Sequence, residues 1–249
     1  MTFWDQRVLF IDGEALVIDK PAGLAVHPGT RTPESLEDYL RALRFGFQRI
    51  PLPVHRLDRD TSGCLLLARN PKAHKRFQRA FENKLVGKTY VAILDGVPAE
   101  ESGTVDLALD KVSTAEAGWR MVPDPAGRPA VTHWRVAAVR DGRAVILFTP
   151  ETGRTHQIRV HLAHIGHPLL GDPVYGPGFA TKIARLPAAA AAALVGLERQ
   201  ALHAYLLGIE HPITGEWLEF RSELPADLAR LRSSLGATAR GLEKNLASQ

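Results

Sequence analysis

A short apolar run, Cys64 to Ala68, is the feature that most restricts what this chain can fold into. An apolar run of this length between polar stretches predicts a buried strand. Asn70 and Pro71 follow almost at once, and an asparagine cap with a proline in the first turn predicts the start of a helix. Phe77 and Phe81 would lie on one side of that helix. This segment is therefore predicted to be a buried strand that leads into an amphipathic helix.

The other strands are predicted in irregular order along the chain. Segments with strand-forming residues, rich in valine, isoleucine and aromatic side chains, are Ala15–Asp19, Thr89–Leu94, Thr132–Val139, Ala144–Phe148, Tyr205–Glu210 and Trp217–Arg221. Asp141 and Gly142 predict a hairpin turn between two of them. Because strands and helices do not alternate regularly, an α+β fold is a better match than a doubly wound sheet.

Three further helices are predicted from spacing and caps. One begins at Thr32, with Pro33 in its first turn and leucines at helical spacing after it. A second covers Thr155–Ile165, with Thr155 as its cap. The third is the alanine run Ala188–Ala193, which is predicted to be a surface helix.

The composition is that of a soluble globular protein, with 45% hydrophobic and 23% charged residues. The 249 residues can bury a hydrophobic core, either as one domain or as two small ones. After about Pro225 the chain becomes polar and helical in tendency. This change predicts a main domain over residues 1–225 and a peripheral tail, helical or flexible, over residues 226–249.

The sequence also indicates a compartment. No apolar run is long enough to span a bilayer, and Met1–Phe10 lacks the segments of a secretion signal. A single cysteine, Cys64, excludes an internal disulfide and favours a reducing compartment. The cytoplasm is therefore the predicted location, without membrane association.

Positive charge is concentrated in one segment, although the formal net charge is only +4. We call this segment the basic stripe, and it consists of Lys72, Lys75, Arg76, Arg79, Lys84 and Lys88. A single acidic residue, Glu82, lies within the same segment. Such a stripe is typical of phosphate binding and equally of a solvated helix face.

Three polar stretches are typical of a functional site. His55–Gly63 runs directly into the predicted buried strand, and loops at strand ends commonly hold catalytic groups. Lys88–Tyr90 begins another strand. Glu151–Leu162 places two arginines and two histidines on the first turns of a helix.

In this order, the stretches resemble the motifs of the RluA-like branch of pseudouridine synthases, which act on ribosomal and transfer RNA. The resemblance includes Asp19–Leu24, Gly127–Thr132 and His167–Asp172 and spans roughly residues 10–222. It implies one catalytic domain with a long, mixed, mostly antiparallel sheet. In that fold two half-domains meet at a cleft that holds Asp58.

The implied reaction isomerises uridine, so it needs no redox cofactor and no metal. It needs an ionised carboxylate close to the sugar and base. The resemblance assigns this role to Asp58 and leaves Asp60 as a structural or turn residue. Burial favours the protonated form of a carboxyl group, and a nearby guanidinium reverses that tendency. The resemblance implies that Arg159 supplies this guanidinium through a salt bridge to Asp58.

Other residues of the motifs are implied to contact the uridine or its RNA. Tyr90 would pack against the flipped base and help to remove a proton from the bonding carbon. Arg56 would hold the flipped nucleotide. Leu162 would be either an apolar wall of the uracil pocket or a core residue. The remaining residues expected to contact RNA or uridine are His55, Thr61, Lys88 and Arg154.

The predicted partner is ribosomal RNA, transfer RNA or both, bound by a monomer. A uridine within a stem-loop must be swung out of its stack before a side chain can reach it. The basic stripe and the segment Lys111–Arg128 are candidates for binding the RNA backbone. Because the first strand is predicted near Ala15, no accessory RNA-binding domain is expected before it.

Two other functions compete with this interpretation. A metal-dependent phosphodiesterase would use the histidines between His156 and His167, near Asp172, but their spacing fits no common ligand pattern. A non-catalytic RNA-binding or RNA-folding protein would leave Asp58 idle. Substitution of Asp58 separates these possibilities, because a binding module would tolerate it.

Overall fold

The computed structural model describes residues 2–29, 32, 34–114, 118–140, 142–176, 192 and 197–235. The chain divides into two compact units. The first comprises Met1–Thr89 and His203–Glu223, and the second comprises Tyr90–Leu202 and Leu224–Gln249.

The strands in the described part of the chain are β1 (Val8–Ile11), β2 (Ala15–Lys20), β3 (Leu52–Pro53), β4 (Ser62–Ala68), β5 (Gly87–Asp95), β6 (Ser102–Asp106), β7 (Leu109–Thr114), β8 (Gly118–Pro123), β9 (Val131–Arg140), β10 (Arg143–Pro150), β11 (Leu202–Glu210) and β12 (Trp217–Arg221). The α-helices there are α1 (Pro71–Glu82), α2 (Gln157–His164) and α3 (Ala226–Ser234).

The first unit is built around β4, all of whose residues are buried. β2 pairs with β4 in antiparallel fashion along its length. β11 runs parallel to the start of β4, where His203 lies opposite Ser62. β3 pairs with the end of β4, and β1 and β12 pair with β2 and β11, all three antiparallel. The prediction of a buried strand over Cys64–Ala68 is confirmed.

Gly63 sets the close approach of β4 and β11. Its φ is +113°, a conformation that side chains with a Cβ rarely adopt. A Cβ built on Gly63 would lie 2.2 Å from the carbonyl oxygen of Ala204. The glycine that closes the polar stretch His55–Gly63 is therefore required by the backbone of the neighbouring strand.

Helix α1 begins where the cap and proline predict it. The Asn70 side chain accepts a hydrogen bond from the backbone N–H of Ala73 at 2.9 Å, and Pro71 is the first helical residue. Ala73 and Phe77 are buried in the apolar core of the first unit. The basic residues of α1 are exposed, as a stripe along an amphipathic helix should be.

The helix predicted from Thr32 is wrong. The chain instead forms two short 3-10 helices, Leu36–Tyr39 and Ala42–Arg44. The first begins after Ser35, whose backbone N–H donates to the Asp38 carboxylate at 2.8 Å. Leucine spacing thus identified buried side chains correctly, but a nearby capping pair decides where and how the chain coils.

The second unit contains an antiparallel sheet in the order β5-β10-β9-β6. The predicted hairpin is confirmed, because Arg140 of β9 lies opposite Arg143 of β10. β7 and β8 form a separate antiparallel hairpin. β1, β3 and β6 to β8 were not predicted from the sequence, because they are short or largely polar strands.

Helix α2 lies within the predicted helix, and its Ile158 and Leu162 pack in an apolar cluster with β5 and β10. The predicted cap at Thr155 is wrong, because the N-cap is His156 in a left-handed conformation with φ 54°. Helix α3, in the predicted tail, has Leu228 and Leu231 buried.

The mixed, mostly antiparallel α+β class is confirmed. Within the described residues, no helix combines the length and the apolar character needed to cross a membrane. Pro33, Asp141 and the alanine run Ala188–Ala193, apart from Ala192, lie outside the described residues.

Candidate active site

Asp58 lies in a turn of the first unit, immediately before β4. The backbone N–H of Thr61 donates to the carbonyl oxygen of Asp58 at 3.1 Å, which closes the turn. Leu57 and Thr61 are buried on either side, whereas the Asp58 side chain is only half-buried. The turn therefore anchors its backbone and leaves a carboxylate within reach of a ligand.

The side chain of Lys20 holds this turn in place by hydrogen bonding. Its side chain is fully buried, and its ammonium donates to the carbonyl oxygens of Pro21 at 2.7 Å, Leu24 at 2.8 Å and Arg59 at 3.0 Å. A buried ammonium is tolerated only when its hydrogens find acceptors. Because Arg59 follows Asp58 directly, Lys20 ties the end of β2 to the candidate catalytic turn.

A second polar chain holds the end of the turn. Ser62 Oγ and His203 Nδ1 are 2.8 Å apart, and His203 Nε2 donates to the carbonyl oxygen of Ser222 at 2.9 Å. Ser222 Oγ then donates to Asp19 at 2.8 Å. His203 is fully buried. Neither the contact of Lys20 with Arg59 nor those of His203 were visible in the sequence, because they join residues that are far apart in the chain.

His55 is built into the same unit. Its Nε2 accepts a hydrogen bond from the backbone N–H of Leu66 at 3.0 Å, and its ring stacks on Phe81 with centroids 4.7 Å apart. Burial, together with the nearby charge of Lys88, lowers the pKa of His55 to about 3. The imidazole is therefore neutral at pH 7, and its contact with RNA stays a prediction.

Three further residues of the first unit have distinct surroundings. Arg59 holds the Asp60 carboxylate with two hydrogen bonds, of 3.0 and 3.1 Å, in keeping with a turn role for Asp60. Arg56 is exposed. Burial, with the nearby charge of Lys84, lowers the pKa of Lys88 to about 8. RNA contacts of Arg56 and Lys88 stay predictions.

Arg159, in the second unit, is not a surface arginine. Its side chain is 6% exposed and forms a bidentate pair with Asp172: Nε donates to Oδ2 at 2.7 Å and Nη2 to Oδ1 at 2.9 Å. Burial alone would raise the pKa of Asp172, but Arg159 and the backbone N–H groups of Tyr175 and Val174 outweigh it and lower that pKa. The sequence had placed Asp172 in a motif without giving it this partner.

Tyr90 and Leu162 are brought together in the second unit. Tyr90 is half-buried on β5 and packs against the apolar cluster that contains Leu162. Leu162 is 1% exposed, as expected of a core residue. Arg154 donates from Nε to the carbonyl oxygen of Pro129 at 3.0 Å. Roles of these three residues toward uridine stay predictions.

Two of the four histidines considered as metal ligands have other partners. His156 Nδ1 lies 2.9 Å from the Tyr175 hydroxyl, and His161 Nε2 lies 3.0 Å from the carbonyl oxygen of Leu107. Among the residues that the structure describes, no three histidine, cysteine or carboxylate side chains are grouped to hold a metal ion.

Comparison with known proteins gives a consistent set of relatives. A family model described as RNA pseudouridylate synthase matches residues 14–164. An uncharacterised RNA pseudouridine synthase of Zymomonas mobilis is 56% identical over 182 residues, which cover 73% of this chain and 83% of that protein. Ribosomal large subunit pseudouridine synthase D of Vibrio vulnificus is 40% identical over 237 residues, which cover 92% of this chain and 70% of that protein.

Solved structures agree with these matches. Human RNA pseudouridylate synthase domain containing 4 has a TM-score of 0.73 and 26% identity, with 94% of each chain covered. Human RNA pseudouridylate synthase domain containing 1 has a TM-score of 0.71 and 28% identity, with 98% of this chain and 95% of that chain covered.

Neutral His55 makes stability depend on pH. The folded-state pKa of His55, about 3, lies below the ordinary value of 6.5. Below pH 6.5 the unfolded chain therefore binds a proton at His55 that the folded chain does not bind. The free energy of unfolding should therefore fall by up to about 2 kcal/mol between pH 6.5 and 5 because of this residue. Urea denaturation at both pH values measures this fall in the free energy of unfolding.

His55→Gln should lose this part of the pH dependence of stability. His164→Gln, at an exposed position, should keep the pH dependence of the wild type. An equal slope in His55→Gln and wild type would contradict the assignment.

Replacing Lys20 tests the support beneath Asp58. Lys20→Met keeps most of the side-chain volume but leaves three carbonyl oxygens without the buried ammonium that donates to them. The free energy of unfolding should fall by about 2–4 kcal/mol. Lys72→Met, at an exposed position of α1, should change it by less than about 0.5 kcal/mol. Chemical denaturation of both variants decides the matter, and equal midpoints would show that the ammonium stabilises nothing.

Proposed function

The chain belongs to the RNA pseudouridylate synthase family, and we propose that Asp58 is the carboxylate that carries the isomerisation of uridine in its RNA substrate. The activity of the family is that of an isomerase acting on RNA. The observation that carries the assignment of Asp58 is its turn. A half-buried carboxylate projects from a backbone that Thr61 and Lys20 hold in place.

The reaction rearranges bonds within one nucleotide. The bond from the ribose C1′ to uracil N1 breaks, the base turns, and a bond from C1′ to uracil C5 forms. N1 gains a hydrogen and C5 loses its own to solvent, so atoms and electrons balance without an oxidant or a reductant. Asp58 acts in its ionised form, whether it attacks the sugar, attacks the uracil ring or assists elimination at the sugar.

Arg159 and Tyr90 are the proposed helpers of Asp58. Arg159 is proposed as the positive charge that keeps the carboxylate ionised once a ligand excludes water. Its deep burial favours this role over that of a solvent-exposed arginine. Tyr90, half-buried beside an apolar cluster, is proposed to pack against uracil and to assist removal of the proton from C5.

The substrate is proposed to be a stem-loop of ribosomal or transfer RNA, bound by a monomer in the cytoplasm. The name of the Vibrio vulnificus relative favours ribosomal RNA. Arg56 and the residues of the basic stripe other than Lys88 are exposed and positively charged, which suits contact with RNA phosphates. His55, Thr61, Lys88, Arg154 and Leu162 are proposed to shape or support the uridine site. The flipped uridine would then reach Asp58 from outside the stack.

Release of tritium from C5 of uracil measures the reaction. Ribosomal and transfer RNA is labelled with tritium at C5 of uracil and prepared from a strain of the parent organism that lacks the gene. This RNA should lose tritium on incubation with wild-type protein. Asp58→Asn preserves the size of the side chain but removes its charge, and should lower the rate by at least about 10³-fold. Asp60→Asn is the matched control two residues on, and should keep the rate within about tenfold of wild type.

Two outcomes would contradict the proposal. If Asp58→Asn releases tritium as fast as wild type, Asp58 does not carry the reaction. If the wild-type protein releases none from any RNA of the parent cell, the proposed activity on ribosomal or transfer RNA is wrong, and a non-catalytic role in RNA binding becomes the better account.

A further inference from the structure

Asp172 is a buried carboxylate that accepts several hydrogen bonds. It is 1% exposed, and its two oxygens accept four hydrogen bonds. Two come from Nε and Nη2 of Arg159, at 2.7 and 2.9 Å. The other two come from the backbone N–H groups of Val174 at 2.9 Å and Tyr175 at 3.0 Å. A carboxylate that receives this many donors has a single orientation.

The backbone that carries Asp172 is equally constrained. Gly171 has a φ of +71°, and a Cβ there would lie 2.2 Å from the carbonyl oxygen of Arg199. Pro173 follows and has its own φ restricted by its ring. The segment from Gly171 to Tyr175 therefore sits in one place and presents the carboxylate toward α2.

Tyr175 adds a second restraint on the same guanidinium. Its ring centroid lies 5.1 Å from Cζ of Arg159, within the range of a cation–π interaction. Its hydroxyl accepts a hydrogen bond from the backbone N–H of Met121 at 3.0 Å and lies 2.9 Å from His156 Nδ1. The aromatic ring is thus fixed by β8 and by His156, the N-cap of α2.

The geometry of the pair bears on the chemistry of Arg159. A guanidinium has five N–H groups in a plane, and Asp172 uses the edge formed by Nε and Nη2. The N–H groups of Nη1 and the outer N–H of Nη2 lie outside this pair and form the other edge of the fork. Fixing one edge also fixes the direction of the other, which can meet a second anion without loss of side-chain freedom.

We infer that Asp172 is a positioning residue of the uridine isomerisation, which acts by holding the Arg159 guanidinium in one orientation. The inference rests on the proposed function, in which Arg159 keeps the catalytic carboxylate ionised. Asp172 touches neither substrate nor Asp58 in this role; it acts through Arg159 alone.

A comparable pair in the same unit provides the control. Arg199 donates from Nε to Asp227 Oδ2 at 2.8 Å and from Nη2 to Oδ1 at 3.2 Å. Both pairs are bidentate and both join an arginine to an aspartate that lies further along the chain. Arg199 and Asp227 lie outside every motif of the candidate site, so breaking their pair reports the structural cost alone.

The test measures kcat and KM of tritium release for single and double variants. Asp172→Asn should lower kcat by about 10- to 100-fold, with KM within about threefold of wild type. Asp227→Asn should leave kcat within about twofold of wild type, even where its thermal midpoint falls. Arg159→Lys should lower kcat by itself. Adding Asp172→Asn to Arg159→Lys should lower kcat no further, because a residue that acts only through Arg159 has nothing left to position.

A measurement on the wild-type protein keeps the inference testable if Asp172→Asn does not fold. In ¹⁵N-labelled protein, the Nε–H of Arg159, assigned by its loss in Arg159→Lys, should exchange with solvent at least about tenfold more slowly than exposed arginines. Exchange as fast as that of exposed arginines would overturn the inference, since Asp172 would then not hold the guanidinium.

The kinetic outcomes are also separable. Active wild type with an equally active Asp172→Asn refutes the inference alone, and so does a double variant whose losses multiply. Equal losses of kcat in Asp172→Asn and Asp227→Asn would show a merely structural effect. If the wild type releases no tritium, the proposed function is wrong and the inference falls with it.

Discussion

The ammonium of Lys20 is the contact on which the arrangement of the first unit depends. It joins the end of β2, the turn that follows it and the turn that carries Asp58, through three carbonyl oxygens. A cation buried without these acceptors would be strongly destabilising, so the three segments must fold together. This explains why the Asp19–Leu24 and His55–Gly63 motifs occur together although thirty residues separate them. The chemistry proposed for Asp58 relies on a backbone that Lys20 holds in place.

The second unit also contains a buried cation that its acceptors stabilise, but the groups are different. Arg159 is buried beside Asp172, and the planar fork of a guanidinium matches a carboxylate with two parallel hydrogen bonds. A lysine suits carbonyl oxygens that converge from three directions, as at Lys20, but it cannot hold a carboxylate in this way. In each case the geometry of the cation's N–H groups matches the arrangement of its acceptors. An ionised carboxylate and an oriented positive charge are what the proposed mechanism requires of the protein.

Local signals carried the correct predictions. The strand Cys64–Ala68 and helix α1 were predictable because an apolar run, a cap and a proline act within a few residues of one another. The start at Thr32 failed because Ser35 and Asp38 form a closer capping pair. The contacts of Lys20 with Arg59, of His203 with Ser62 and of Asp172 with Arg159 could not be predicted, since each joins segments that no local pattern relates. Motif order located Asp58, but only the structure shows what holds its turn.

The most direct test of the account is to look for the product in the cell. In cells lacking the gene, pseudouridine should be missing from at least one position of ribosomal or transfer RNA, as mapped by carbodiimide modification and primer extension. Wild-type protein should restore it, and Asp58→Asn, expressed at the same level, should not. Restoration by Asp58→Asn, or an unchanged set of pseudouridines in the cells lacking the gene, would contradict the account.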